Sequence, residues 1–171
     1  MKKLLYLFLV IPLIFSSCAK EEGCMDTQAT NYNADAEKED ESCTYSLTGC
    51  WEWETGTVDG NNAFSTFTDV VLYCWDNGQF GVEYYIPSGL YAYDIGTYSL
   101  SADQTTVNTS TETFVWDDNN LSWQLFGTSN TLLNVSKFNS NEFDAGWNDN
   151  EGIGVFTSNK STTYSLGGWK K

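Results

Sequence analysis

The chain has 171 residues and a formal net charge of −15, and it contains neither arginine nor histidine. An acidic chain without arginine repels polyanions and lacks the planar fork that binds phosphate, which argues against nucleic acid as a partner. Without histidine the usual general base, the Ser-His-Asp triad and most zinc sites are excluded, so any bound cation would need oxygen ligands. The content of 41% hydrophobic and 16% aromatic residues predicts one main folded domain.

Residues 1–17 have the pattern of a secretory signal peptide. Lys2 and Lys3 form a charged n-region, and residues 4–15 form an apolar run that is too short for a spanning helix of roughly 20 residues. The FSSC segment that ends at Cys18 resembles a bacterial lipobox of the form found in lipoproteins of Bacteroidota-type bacteria. The resemblance implies that Cys18 is acylated and becomes the first mature residue. The alternative is ordinary signal peptidase cleavage, which would leave Cys18 as a free thiol.

Residues 18–22 are the predicted membrane tether. Lys20, Glu21 and Glu22 follow the cysteine, and this order resembles the signal that exports lipoproteins of this group to the outer face of the outer membrane. The resemblance implies a lipid-anchored, cell-surface protein whose membrane contact is the acyl anchor. A short charged spacer on a protein that faces the periplasm is the alternative. Removing residues 1–17, which hold two lysines and no acids, changes the formal charge from −15 to −17.

Residues 23–45, GCMDTQATNYNADAEKEDESCTY, show no strand alternation and are bracketed by Cys24 and Cys43. They resemble the Asp/Asn-rich module GCTDxxAxNYNxxAxxDDGSCxY of exported Bacteroidota proteins, with Glu41 in place of the usual glycine. The resemblance implies a Cys24–Cys43 disulfide. Closing a loop of about 20 residues is worth roughly 3 kcal/mol in the chain-entropy model.

The same module carries oxygen-bearing side chains that are candidate calcium ligands. Ca²⁺ takes six to eight oxygens, although the spacing here is not that of an EF-hand loop. The alternative is a solvated acidic spacer closed by one disulfide. No other cofactor is expected. The candidate ligands are Asp26, Asn31, Asn33, Asp35, Glu39 and Asp40.

From Leu47 onward the chain consists of short alternating runs separated by turn signals, and no run has helical periodicity. The connectors DNG, SADQ, DDNN and NSNE are typical of hairpins. The pattern therefore predicts an all-β, antiparallel, up-and-down meander. The predicted strands are residues 49–55, 70–75, 79–86, 93–100, 105–109, 113–116, 121–126, 131–137, 142–147 and 152–157.

The hairpin at Asn77 and Gly78 allows the side-chain faces to be predicted. In a two-residue type I′ loop, each step back along one strand is a step forward along the other. The resulting face is apolar and should point into the core, which leaves Cys74 on the outer face. The predicted opposing pairs are Trp75 with Phe80, Tyr73 with Val82, and Val71 with Tyr84.

Four cysteines remain once Cys18 is assigned to lipid, and an even number in an exported chain predicts disulfides with three alternative connectivities. On the first strand, a period of two puts Trp51 and Trp53 on one face and Cys50 on the outer face. Because Cys50 and Cys74 would then both face outward on neighbouring strands, we expect them to form a disulfide.

Residues 46–160 resemble the lipocalin-like domain of bacterial lipoproteins. The segment SLTGCW at 46–51 contains the L-x-G-x-W pattern that opens its first strand, and GTYSL at 96–100 has its mid-barrel G-x-Y-x-L pattern. The segments DNGQF and LSWQLFGTSNTLLNV occur in the right order. The resemblance implies a barrel of about eight strands, followed by a tail at 161–171. Closure would remove the exposed edges of a long meander; an open sandwich is the alternative.

Two non-catalytic functions fit such a domain. An eight-stranded barrel holds either a packed core or one small ligand, here a hydrophobic or carbohydrate molecule, and a ligand site is expected to exceed roughly 300 Å³. A filled barrel would instead indicate a structural or interaction lipoprotein. The candidate ligand-binding residues, which would otherwise fill the barrel, are Trp51, Trp53, Tyr73, Trp75, Phe80, Tyr84, Tyr98 and Trp123.

An enzyme is not expected, and no catalytic residue is predicted. A glycosidase is the one class whose chemistry needs two carboxylates and no histidine. Glu83, Asp94 and Glu112 would be candidates, but nothing in the sequence pairs them. Acidic residues on outward faces most often serve solvation.

Overall fold

The structure is a computed structural model that describes residues 20–149 and 152–168. The predicted signal peptide and its acylation site Cys18 lie outside these residues. The chain divides into two compact units, one ending at Thr44 and one beginning at Tyr45. Within the described ranges, no helix is long and apolar enough to cross a membrane.

The first unit is an irregular fold closed by the Cys24–Cys43 disulfide, which confirms that pairing. Glu21 and Glu22, which the sequence assigned to the tether, are part of this fold. The carbonyl oxygen of Glu21 accepts a hydrogen bond from the backbone N–H of Lys38 at 3.2 Å, and Glu22 Oε1 lies 2.6 Å from Lys38 Nζ. The tether at residues 18–22 stays a prediction.

The second unit is a closed antiparallel barrel of eight long strands, as the sequence predicted. β1 pairs with β3, and from β3 to β9 each strand pairs with the next in chain order. β1 also pairs with β9, which closes the sheet, and the short β2 pairs with the end of β1. The strands are β1 (Gly49–Val58), β2 (Asn61–Asn62), β3 (Asp69–Cys74), β4 (Gln79–Ile86), β5 (Gly89–Leu100), β6 (Thr106–Asp117), β7 (Ser122–Phe138), β8 (Phe143–Asp149) and β9 (Gly152–Lys160), and 3₁₀ turns occur at Ala63–Ser65 and Leu166–Gly168.

β6 and β7 are each one continuous strand where the sequence predicted two. The residues between the predicted pieces continue the ladder, with Ser110 opposite Asn130 and Thr111 opposite Ser129. Small polar residues there resemble a turn in sequence. In the barrel, however, threonine fits the pleated, half-buried surface well, so the strands run on.

The predicted register of the β3–β4 hairpin was wrong by one residue. The loop has three residues, 76–78, because the N–H of Trp75 donates to the carbonyl of Gln79 at 2.9 Å. The N–H of Gly78 also donates to the carbonyl of Trp75 at 3.2 Å, and Gly78 has a φ of 78°. This is a type I turn followed by a left-handed residue, the usual three-residue hairpin loop.

The shift of one residue exchanges the two faces of β3, while Phe80 and Tyr84 of β4 stay on the interior face as predicted. Cys74 pairs with Phe80 and both belong to the interior core, whereas Tyr73 and Trp75 lie outside with Cys50. The predicted Cys50–Cys74 disulfide is therefore absent. Both cysteines are buried free thiols, and they lie on opposite faces of the sheet.

A second hydrophobic cluster covers the outer face of β1, β3 and β4. Val71 and Tyr73 are buried there beneath Tyr164 and Leu166, which belong to the segment predicted as a tail. In the same cluster Glu83 is almost fully buried, and its Oε2 accepts hydrogen bonds from the hydroxyls of Tyr73 and Tyr85, each at 2.7 Å. The residues after β9 thus complete the fold of this unit.

Replacing Gly78 with alanine tests the three-residue loop. An L-residue in the left-handed conformation costs roughly 1–2 kcal/mol, so we expect Gly78→Ala to lower the free energy of unfolding by about that amount. Urea denaturation measures it. The control is Gly127→Ala in β7, where φ is not positive and no atom lies within 4 Å of the added Cβ. Equal stability of both variants would contradict the assigned loop.

Candidate functional site

The interior of the barrel contains a partly open cavity of about 210 Å³. This volume is below the roughly 300 Å³ expected for a site that binds a drug-sized ligand. It exceeds the ~150 Å³ cavity that is known to hold benzene. The cavity is therefore of a size for a molecule with about one ring. Its aromatic lining includes Trp53, Phe80, Tyr84, Tyr98, Phe143, Trp147 and Phe156.

The wall formed by β6 and β7 differs from the rest of the cavity because it presents hydroxyl groups. Alternate residues of these strands point inward, and threonine or serine occupies five of the seven positions at which the two strands line the cavity. The cavity thus has an aromatic side and a hydroxyl side. The residues of the hydroxyl wall are Thr109, Thr111, Thr113, Ser129 and Thr131.

The barrel wall is incomplete between β7 and β8. β8 pairs with β7 from Asn134 to Phe138, so within the described residues the earlier part of β7 has β6 as its one partner strand. Ser129 of β7 and Trp147 of β8 both line the cavity near this gap.

Asp94 on β5 is the acidic residue of the cavity lining. Its Oδ2 accepts a hydrogen bond from the hydroxyl of Tyr84 at 2.7 Å, whereas its Oδ1 is buried and has no hydrogen-bond partner among the described residues. Burial raises the pKa of Asp94, and polar contacts with Thr113 and Tyr84 lower it in part. A buried acceptor without a partner is costly, so this carboxyl is a candidate ligand contact.

Trp53 carries a second buried polar atom without a partner. Its ring is stacked on Phe156 with centroids 4.4 Å apart, and it lines the cavity. Its Nε1 is buried and donates to no acceptor in the described residues. In contrast, Nε1 of the neighbouring Trp51 donates to the carbonyl of Leu47 at 2.8 Å. The cavity lining therefore includes one donor and one acceptor that the protein leaves unsatisfied.

The other titratable side chains of the lining stay neutral near pH 7. Burial raises the pKa of Cys74 on β3, of Tyr84 on β4 and of Tyr98 on β5 above their ordinary values. Their thiol and phenol groups are therefore protonated at neutral pH. Among the described lining residues, Asp94 is the group that can change its charge between mildly acidic and neutral pH.

The structure places five of the eight predicted ligand-binding aromatics inside the barrel and three outside. Tyr73 and Trp75 moved outward with the register of the β3–β4 hairpin. Trp123 lies on the outer face, where its ring contacts Tyr93 and Trp116 with centroids 4.8 and 5.3 Å away. Ligand binding by the interior residues stays a prediction. Those inside are Trp51, Trp53, Phe80, Tyr84 and Tyr98.

Sequence reasoning missed Asp94 as a cavity residue, although a signal was present. Tyr98 was predicted to point inward, and a period of two from Tyr98 along the same strand reaches Asp94. The other glycosidase candidates lie elsewhere. Glu83 is buried in the outer cluster, and Glu112 is exposed opposite Ile95.

Two of the candidate calcium ligands in residues 23–45 accept hydrogen bonds from backbone N–H groups within turns. Asp26 Oδ1 accepts the N–H of Gln28 at 2.9 Å, and Asp40 Oδ1 accepts the N–H of Ser42 at 3.0 Å. Among the described residues, the acid or cysteine atoms close enough to share an ion are those of Cys24, Glu39 and Cys43, but the two sulfurs form the disulfide. Calcium binding by Asp26, Asn31, Asn33, Asp35 and Asp40 stays a prediction.

Comparison of the chain with protein-family models, with curated proteins and with solved structures finds no match. The resemblance to lipocalin-like lipoproteins therefore stays a prediction from its sequence motifs. The structural evidence for a function is therefore the cavity in the barrel.

Replacing Asp94 with asparagine tests its burial through the pH dependence of stability. Because the folded pKa lies above the ordinary value of 3.8, the native state holds this proton more tightly than the unfolded chain. The contribution of Asp94 to stability is thus full below pH 3.8 and is lost as the pH rises through the folded pKa. We expect Asp94→Asn to gain stability relative to the wild type between about pH 4 and pH 7.

Urea denaturation at both pH values measures this difference. Glu112→Gln removes an exposed carboxyl of the same barrel and should follow the wild type at both values. A stability difference between Asp94→Asn and the wild type that is the same at both pH values would contradict the burial of a titrating Asp94.

Proposed function

We propose that the protein is a lipid-anchored lipoprotein of the outer membrane, exposed at the cell surface, whose barrel binds one small ligand in its interior. The observation that carries this proposal is the cavity of about 210 Å³ with an aromatic side, a hydroxyl side and the carboxyl of Asp94. Buried polar atoms without a partner cost free energy, so the unpartnered Asp94 Oδ1 and Trp53 Nε1 of two lining residues support a polar ligand.

The cavity also narrows the kind of ligand. Its volume suits a molecule of about one ring rather than a long acyl chain, and its two sides suit a molecule that is both apolar and hydrogen-bonding. A small aromatic compound with polar substituents fits this description, and so does a single sugar unit stacked on an aromatic ring. We therefore narrow the predicted hydrophobic or carbohydrate ligand to a small amphipathic molecule.

Filling the cavity tests interior binding. Native mass spectrometry of the protein purified from its own host should detect a co-purified small molecule with the wild type. Ser129→Trp places a large ring in the cavity wall near the β7–β8 gap and should abolish that mass. Asn130→Trp adds the same ring to the next residue, which is exposed, and should retain it. Interior binding is wrong if the wild type carries no ligand or if Ser129→Trp still carries it.

The surface location is tested by protease accessibility on intact cells. We expect the wild type to be cleaved, and a variant with alanine at Lys20, Glu21 and Glu22 to be shielded in the periplasm. Because Glu22 forms an ion pair with Lys38, that variant also disturbs the disulfide-closed unit. Lys38→Ala breaks the same pair without changing the export signal and should remain accessible. A shielded wild type would overturn the surface assignment.

The second candidate function is that of an interaction lipoprotein, and one observation favours it. The end of the β6–β7 hairpin exposes large apolar side chains, with Leu121 74% and Phe126 80% exposed. Nearby on the outer face, Tyr93 stacks on Phe114 with centroids 5.0 Å apart. Exposed apolar patches often mark a protein contact. Such a role requires no co-purified small molecule, so the mass measurement separates the two functions.

A further inference from the structure

We propose that the ligand of the barrel cavity is a small organic cation, a protonated amine whose charge is balanced by the carboxylate of Asp94. This inference rests on the proposed interior binding and names the class of ligand. It would make the barrel a receptor for amines of about one ring in size.

Asp94 lacks a cationic partner among the described residues. The chain contains no arginine and no histidine, and none of the described lysines lines the cavity. Tyr84 donates one hydrogen bond to Oδ2, which leaves Oδ1 with none. A carboxylate in a low-dielectric interior is costly unless an opposite charge is close. A ligand ammonium would supply both the missing charge and up to three N–H donors.

The groups that line the cavity together with Asp94 also favour a cation. Rings of Trp53, Tyr84 and Tyr98 line the same cavity, and the faces of aromatic rings attract cations. The unpartnered Nε1 of Trp53 requires an acceptor, which a hydroxyl or carbonyl substituent on the amine would provide. The hydroxyl wall of β6 and β7 can bond either kind of group. The lining therefore favours an amine that also bears an oxygen.

Anionic ligands and metal ions fit the cavity less well than an organic cation. The chain carries a formal charge of −15, which attracts cations and repels anions. An anionic ligand would also lie beside Asp94 without a basic residue to hold it. A metal ion such as Ca²⁺ is coordinated by six to eight oxygen ligands, usually with several carboxylates. The described lining of the cavity contains one carboxyl group. A singly charged organic cation fits best.

Contact with the ligand requires one small movement. Oδ1 of Asp94 is shielded in this structure, so the carboxyl must rotate about χ2 to present it to the cavity. That torsion joins an sp³ carbon to an sp² carbon and has a broad, shallow profile. A half turn would only exchange two equivalent oxygens, so the contact requires a partial rotation that aims one oxygen at the cavity.

Isothermal titration of the detergent-solubilised full-length protein tests the charge requirement. The probes are benzylamine, benzyl alcohol and benzoate, which share one ring and differ in charge. At pH 7 we expect benzylamine to bind about tenfold or more tightly than benzyl alcohol, and benzoate not to bind. Asp94→Asn should bind the amine and the alcohol equally. Glu112→Gln, which removes an exposed carboxyl, should keep the preference.

The outcomes distinguish this inference from the function on which it rests. Equal binding of amine and alcohol by the wild type, or a preference that survives in Asp94→Asn, would overturn the amine and leave interior binding standing. Failure of all three probes to bind would overturn both. A preference for the amine that weakens as the pH falls and Asp94 takes up a proton would support the carboxylate as the partner, because no other described lining group changes charge in the acidic range.

Discussion

The pairing of β1 with β9 is the constraint on which the rest of the structure depends. It runs from Trp51 opposite Lys160 to Val58 opposite Gly154, with one irregularity between Trp53 and Thr55. Because this pairing joins the first long strand to the last, the sheet closes apart from the gap between β7 and β8, and each residue of a strand faces either the interior or the surroundings. The cavity, its aromatic lining and the position of Asp94 all follow from that division.

The up-and-down meander could be predicted because alternation and hairpin connectors are local signals, whereas closure was predicted from the resemblance to lipocalin-like domains and from the cost of exposed strand edges. The faces of β1 were also predictable from alternation. The register of the β3–β4 hairpin was not, since a DNG connector suits loops of two or three residues. The carbonyl of Gly78 accepts the N–H of Tyr98 on β5 at 2.7 Å, and this contact between segments distant in sequence favours the longer loop. No local pattern contains that information.

The candidate site was predictable only in part. Interior aromatic residues can be inferred from alternation, and Asp94 was within reach of the same rule. The volume of the cavity depends on how the side chains of eight strands pack together, which alternation does not determine. The cover that Tyr164 and Leu166 provide for the outer face was also missed, because two apolar residues in a short polar segment give no periodic signal.

The opposite orientation of Cys50 and Cys74 has a consequence for oxidative folding. In the unfolded chain these thiols compete with Cys24 and Cys43 for disulfide partners. Once the barrel forms, burial raises the pKa of the Cys50 thiol to about 11 and that of Cys74 further, so neither supplies the thiolate that disulfide exchange requires. Folding of the barrel thus protects Cys50 and Cys74 from disulfide exchange. If the barrel folds before oxidation, the pairing left to these four cysteines is Cys24 with Cys43.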